Sequence, residues 1–406
     1  MIRKPYEYDH KEYDGTLFIP AIGWFFTEAN RDSDGYNFAQ LAGRSNQLRA
    51  FWDYQGMWIN GDHERFSQMA LDVSGSERGD VVLGNKNDSW FDGLGGNDFF
   101  WGGDGVDYFD GGEGFDVVSY QGAAQVIVDL QKGMALVLEA DEVISGPHIE
   151  GEIILEGAVV EEQLISVEGV VGTNGNDMFF GTEGPNQIWA MGGDDYIVGR
   201  GGADEIYCGQ GDDVAVGETG MDYIYGDAGD DKLFGGAGHD WLIGDVGDDY
   251  LDGGDGHDTL RGGFGADTLD GGEGDDVLED RWGGNTFIFG EGADHVIAGG
   301  NDDRFVFRGG TGNSTIEGFS RDAGDRIVLD GVSFAHTHYG TVTPTNDAEL
   351  GLLDTNGNGF FDGGDESVTT YTIDGRTDLL IETLIGSLTI EDVFAVGINL
   401  DAFDFA

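Results

Sequence analysis

Aspartate recurs at every ninth residue through the middle of this 406-residue chain. From Gly172 to Val306 a nine-residue register runs without a slip through fifteen turns, beginning at 172, 181, 190 and onward to 298. The sixth position of thirteen of them is Asp: Asp177, Asp195, Asp204, Asp213, Asp222, Asp231, Asp240, Asp249, Asp258, Asp267, Asp276, Asp294 and Asp303. Asn186 and Asn285 fill the other two. The same register runs through five earlier turns from Gly75 to Ser119, with Asp80, Ser89, Asp98, Asp107 and Asp116 in the sixth position. The first two of these are degenerate, with Arg78 and Asn87 in place of the fourth-position Gly and Asp88 one place early, so Asp98, Asp107 and Asp116 are the candidates there. Evenly spaced carboxylates beside Gly-rich turns, whose carbonyls are exposed, form a donor set of oxygen alone. Such a set suits a hard divalent cation, Ca²⁺ before others.

The elements that would position these carboxylates follow from the other columns. The fourth position is Gly in fourteen of the fifteen long-array turns, Asn301 excepted, and the eighth is large and apolar in fourteen, Ala215 excepted. The first half of a unit, as in Gly253-Gly254-Asp255-Gly256-His257-Asp258, reads as a turn, because Gly tolerates the positive φ that tight turns demand. The second half, as in Thr259-Leu260-Arg261, reads as a three-residue strand with Leu260 inward and its neighbours outward. Two units make one coil with a strand on each side, and stacked coils bury the apolar column as a thin continuous core. The expectation is an all-β chain, a parallel β-roll or β-helix solenoid of nonapeptide repeats.

This pattern resembles the RTX (repeats-in-toxin) family of calcium-binding parallel β-rolls, the hemolysin-type repeat. The resemblance implies an ion between turns i and i+2, held by Asp side chains and turn carbonyls. That gives a ceiling of thirteen sites for the fifteen turns of the long array, with Asn186 and Asn285 weakening theirs. It also implies secretion through a type I exporter, addressed by an uncleaved C-terminal signal.

Charge agrees with a cation-dependent fold. Asp+Glu number 79 against 19 Lys+Arg, a formal net charge of −60, and residues 172–306 hold 31 acids and 5 bases. A polyanion repels the phosphate backbone, which excludes nucleic acid as a partner. No run of apolar residues is long enough to span a bilayer as a helix. The single cysteine, Cys208, excludes an internal disulfide framework and reads as a neutral replacement for a turn glycine.

The remaining segments differ in character. Residues 1–74 contain fourteen aromatics and seven of the Lys+Arg. They read as a small folded N-terminal domain, with helical spacing at Phe38, Leu41, Leu48 and Trp52. The start, Met1-Ile2-Arg3-Lys4-Pro5, lacks the apolar stretch of an ordinary secretion signal. Residues 120–171 read as a connector, with strands at Val126–Leu130 and Leu164–Val167 continuing the solenoid and a looped excursion around Pro147. Residues 307–406 read as a β-rich cap carrying the export signal. Within it, Asp354, Asn356, Asn358, Phe360 (through its carbonyl), Asp362 and Asp365 match the ligand spacing of an EF-hand loop over 354–365, with Gly359 at the sharp turn and Asp365 shorter than the usual Glu. On the outer faces of the early turns Trp189, Tyr207, Tyr223 and Trp241 form an apolar run, which marks a covered surface or a surface or protein partner.

Catalytic patterns are weak. His63-Glu64 lacks the second His of a zinc-protease helix, no Gly-x-Ser-x-Gly elbow occurs, and His336 and His338 lack a third ligand. The expected function is an exported calcium-binding protein with a structural, surface-layer, adhesion or interaction role. The alternative is a secreted enzyme or toxin-like protein whose active part is residues 1–74.

Overall fold

The computed structural model describes residues 72–138 and 159–329, apart from 86–87, 104, 301, 308–312 and 321–322, together with the backbone of several strands outside those ranges. Among the described residues there is no α-helix; the chain is an all-β parallel solenoid. It divides into two compact units, one of Met1–Gly199 with Tyr207–Gly209 and one of Arg200–Ile206 with Gln210–Ala406.

In the first unit one sheet contains the parallel strands Val81–Asn85, Phe99–Gly103, Val117–Ser119, Gly169–Val171 and Gln187–Gly192. The opposite sheet contains Asp72–Ser76, Ser89–Leu94 and Asp107–Asp110, again in parallel. The connector then enters this sheet. Val159–Ile165 pairs in parallel with Asp107–Asp110, and Gln125–Asp129 pairs in parallel with Met178–Phe180. Between them lies Met134–Leu138, antiparallel to both. The apolar run Ala135-Leu136-Val137-Leu138 is a strand that periodicity did not single out, because it belongs to no repeat. Pro147 lies outside the described residues.

In the second unit the register is eighteen residues per coil: Lys232 pairs with Tyr250, Tyr250 with Thr268, Thr268 with Thr286, and Thr286 with Arg304. The other sheet repeats it through Tyr223, Trp241, Thr259, Val277 and His295. After the last repeat, Arg326–Leu329 continues one sheet and accepts Phe403–Phe405, while Asn313–Glu317 continues the other and accepts Ser387–Ile390.

The core lies where the alternation of the short strands puts it. All fifteen eighth-position side chains of the long array, from Phe179 to Phe305 and including Ala215, are fully buried. Rings stack along the column where Phe is used, as in Phe91–Phe109 at 5.4 Å and Phe287–Phe305 at 5.3 Å.

In the N-terminal segment the backbone forms a three-stranded antiparallel sheet of Thr16–Pro20, Gly56–Asn60 and Arg49–Trp52. Helical spacing therefore does not extend to Trp52, which sits in a strand opposite Met57. Aromatic residues favour such cross-strand pairing over a helix turn. Phe38, Leu41 and Leu48 lie outside the described residues.

Candidate metal centre: the aspartate columns

The turn half of each repeat delivers its sixth-position residue to the inside edge of the coil. All fifteen such side chains of the long array are at most 2% exposed, so the carboxylates are as buried as the core. They are joined into ladders. In the second unit, the backbone N–H of Asp204 donates to Oδ1 of Asp222 at 2.9 Å, Asp222 to Asp240 at 2.9 Å, Asp240 to Asp258 at 2.8 Å and Asp258 to Asp276 at 2.9 Å. On the other edge Asp213, Asp231 and Asp249 donate in the same way to Asp231, Asp249 and Asp267 at 2.8–2.9 Å. In the first unit, Asp80 donates to Asp98 and Asp98 to Asp116, each at 2.7 Å, and Asp177 to Asp195 at 2.6 Å.

Each ladder bond uses one carboxylate oxygen. The second oxygen, Oδ2, has no hydrogen-bond partner in Asp98, Asp116, Asp222, Asp231, Asp240, Asp249, Asp258, Asp276, Asp294 or Asp303. In all of these but Asp294 and Asp303, whose turns begin with Phe289 and Ala298, that oxygen faces the first-position glycine. A Cβ placed on Gly235 would lie 2.6 Å from Asp240 Oδ2 and 2.6 Å from the Gly253 carbonyl oxygen. On Gly253 it would lie 2.5 Å from Asp258 Oδ2 and 2.6 Å from the Gly271 carbonyl oxygen. The missing side chain thus leaves a cradle lined by a carboxylate and a backbone carbonyl, repeated along the column. Among the described residues, no three His, Cys, Asp or Glu side chains converge on one point, so carbonyls must complete any coordination shell. This donor set fits Ca²⁺, which takes six to eight oxygens and accepts carbonyls readily.

Burial without a cation drives the carboxyls toward their neutral form. Desolvation is the largest cause throughout, and like charges one coil away add to it. Asp98 is raised to about 9, and Asp231, Asp249 and Asp276 to about 8. Asp222 and Asp258 rise to about 6, where ladder hydrogen bonds offset part of the burial. Burial thus favours a bound proton, or a neighbouring cation, over bare charge on these carboxyls.

Several ligand-position residues were not evident from the nonapeptide register. Asp303 N–H donates to Asp325 Oδ1 at 3.1 Å, and Asp294 N–H to Ser314 Oγ at 3.2 Å. They extend the columns at spacings of 22 and 20 residues, which a search at eighteen passes over. Asn285 keeps its rung, accepting from Asp267 N–H at 2.9 Å. A second, exposed ladder runs in the opposite sense through the fifth position: Asp248 N–H donates to Asp230 Oδ1, and His257 N–H to His239 Nδ1, each at 2.8 Å. Asp88, seemingly one place early, is a rung of this kind and accepts from Val106 N–H at 3.0 Å.

On the outer face, Trp189 is buried and stacks on Tyr207 with centroids 5.9 Å apart. Tyr223 and Trp241 are half-buried and meet edge to face at 5.6 Å. Cys208 is fully buried. Asp354, Asn356, Asn358, Asp362 and Asp365 lie outside the described residues, as do His63, Glu64 and His338. Phe360 is described only as backbone, in the strand Phe360–Phe361.

The model of the RTX calcium-binding nonapeptide repeat matches the chain in four copies, over residues 75–118, 171–206, 208–242 and 243–278. Among solved structures, the chain is similar to the extracellular lipase LipA from Serratia marcescens, at 17% identity over 84% of this chain and 41% of that one, with a TM-score of 0.18. It thus spans about two fifths of that structure's length. No curated protein matches it. Over the matched residues, then, the chain carries RTX-type calcium-binding nonapeptide repeats, and these build its parallel β-roll.

Proposed function

We propose that this chain is an exported calcium-binding β-roll protein that folds on Ca²⁺ outside the cell and serves a structural, adhesive or interaction role at the cell surface. The observation that carries this reading is the column of buried carboxylates whose Oδ2 atoms face carbonyl-lined cradles without a hydrogen-bond partner. In low calcium, ionised Asp222, Asp240 and Asp258 repel one another along one edge, and the extended chain is the favoured state. That state suits passage through a type I exporter.

Outside the cell, calcium near millimolar matches weak extracellular oxygen sites. Bound Ca²⁺ supplies the positive charge that the chain lacks and, by binding the folded form alone, free energy for folding. The chain's own part is positional. Glycine leaves the space, the ladder bond fixes each carboxylate, and the apolar column holds adjacent coils in register. The half-buried aromatics Tyr223 and Trp241 offer a surface for a protein partner.

The test is circular dichroism of the full chain with a calcium chelator and with millimolar calcium. The expected result is β-structure in calcium alone. A calcium-free sample at neutral pH that is already rich in β-structure overturns the reading. Surface labelling of cells expressing the tagged chain then checks location, and retention inside the cell counts against it.

A further inference from the structure

The connector places glutamates where the repeats place aspartates. Gly169 pairs with Val117 on one side and Gln187 on the other, which sets Glu168 between Asp116 and Asn186 in the column. Gln163 pairs with Tyr108, which sets Glu162 beside Asp107 on the opposite edge. Neither glutamate belongs to a nonapeptide, and both fall outside the matched repeats.

Glu168 completes a ladder rung. Asp116 N–H donates to Glu168 Oε2 at 2.9 Å, and the N–H groups of Glu168 and Gly169 donate to the Asp116 carbonyl oxygen at 3.0 and 2.9 Å. The turn is rebuilt as well, without glycine. Ser166 takes a left-handed φ of 49°, and its carbonyl oxygen stands where a repeat presents a Gly carbonyl. A Cβ on Gly111 would lie 2.2 Å from Ser166 O and 2.3 Å from Asp116 Oδ2. The equivalent point on Gly93, inside the repeats, lies 2.5 Å from Gly111 O and 2.1 Å from Asp98 Oδ2. Asp116 is fully buried, and its Oδ2 has no hydrogen-bond partner. On the next rung, Asn186 Nδ2 donates to the Glu168 carbonyl oxygen at 2.9 Å and brings no charge.

We propose that Glu168, Asp116 and the Ser166 carbonyl form a calcium site in the connector, with Glu168 as the anionic ligand that a sixth-position Asp supplies elsewhere. This rests on the reading that the aspartate columns bind calcium. The site ties the turns ending at Ser119 to those beginning at Gly172 across a segment with no repeat spacing.

The experiment counts calcium bound to the full chain by native mass spectrometry at saturation, for wild type, Glu168→Gln and the exposed control Glu161→Gln. Glutamine keeps an oxygen to accept from Asp116 N–H and removes only the charge. The expected result is one fewer Ca²⁺ per chain for Glu168→Gln and an unchanged count for Glu161→Gln. A wild-type count in Glu168→Gln overturns the connector site. Absence of calcium from the wild type overturns the column reading instead, so the two failures are distinguishable. Where Glu168→Gln does not fold at saturating calcium, Glu168→Asp decides. Folding with the full count supports the site, and failure to fold overturns it, because side-chain length rather than charge is then what matters.

Discussion

Asp240 and Asp258 are bound to each other one coil apart: the backbone N–H of Asp240 donates to Oδ1 of Asp258 at 2.8 Å. Asp240 in turn accepts from Asp222 through its own Oδ1, at 2.9 Å. Asp222, Asp240 and Asp258 each orient the next rung in this way, while their second oxygens have no hydrogen-bond partner. The same contact that positions these carboxylates also stacks like charges one coil apart, a repulsion that a bound cation would offset.

Replacing Asp258 separates the two roles. Asp258→Asn keeps an acceptor for Asp240 N–H, as Asn285 does for Asp267 at 2.9 Å. It removes one anionic ligand, so the calcium midpoint of folding rises and the transition becomes less cooperative. Asp258→Ala also strands a buried N–H, a further loss of about 1–3 kcal/mol. Glu205→Ala, on the outer face, leaves both unchanged. Calcium titrations followed by circular dichroism rank the three variants, and equal midpoints for Asp258→Asn and wild type sink the ligand role.

Acid should substitute in part for calcium. Burial raises Asp231, Asp249 and Asp276 from 3.8 to about 8, with Asp213, Asp227, Asp212, Asp267 and Asp294 among the neighbouring carboxylates. In the calcium-free chain the folded state then holds more protons than the unfolded one. Its stability is greatest below the ordinary carboxylate range and is lost as pH rises through about 6 to 8. With calcium the sign reverses, because ligands must be ionised, and affinity grows with pH while protons are released. Circular dichroism in chelator between pH 4.5 and 8.5 should show β-structure falling as pH rises. A calcium-free β signal that grows with pH contradicts the assignment.

Much of the roll was legible because its columns have separate physical causes. Leu242, Leu260 and Leu278 mark the inward strand position, and Asp240, Asp258 and Asp276 the turn edge, so type and place coincide at each repeat. The connector was less legible. Glu162 and Glu168 reach the column positions through strand pairing with Asp107–Asp110 and Val117–Ser119, not through a count of residues along the chain. Asp325 and Ser314 were hidden because they stand 22 and 20 residues from their partners in the ladder, not eighteen. The fifth-position ladder escaped notice because Asp, Asn and His share it, and exposed polar residues carry no periodic apolar signal.

Second-position residues test the backbone. Gly254 has φ +95°, and a Cβ there would lie 2.0 Å from the Gly236 carbonyl oxygen. Gly254→Ala forces a left-handed alanine against backbone and should lower stability in calcium by several kcal/mol, combining about 1–2 kcal/mol of strain with the steric clash. The equivalent place at Glu218 is occupied by an exposed non-glycine residue at φ +73°. Glu218→Gly relieves that strain and should stabilise by about 1 kcal/mol or somewhat less, since glycine also gains entropy in the unfolded chain. Thermal melts in millimolar calcium read both signs, and a neutral Gly254→Ala argues against the close approach of the coils.

The apolar column sets how far damage spreads. Leu260 is fully buried and pairs in register with Leu242 and Leu278, while Thr259 and Arg261 point outward. Truncating it to Ala removes the transfer energy and leaves a cavity between two coils, about 2–5 kcal/mol. In a solenoid each coil rests on its neighbours, so the loss falls at one interface and not across the whole chain. Leu260→Ala should therefore split a single calcium-dependent melt into two steps, with amides around residues 242–278 exchanging first. Hydrogen exchange at saturating calcium separates this from a uniform weakening, in which every strand of the second unit would lose protection together.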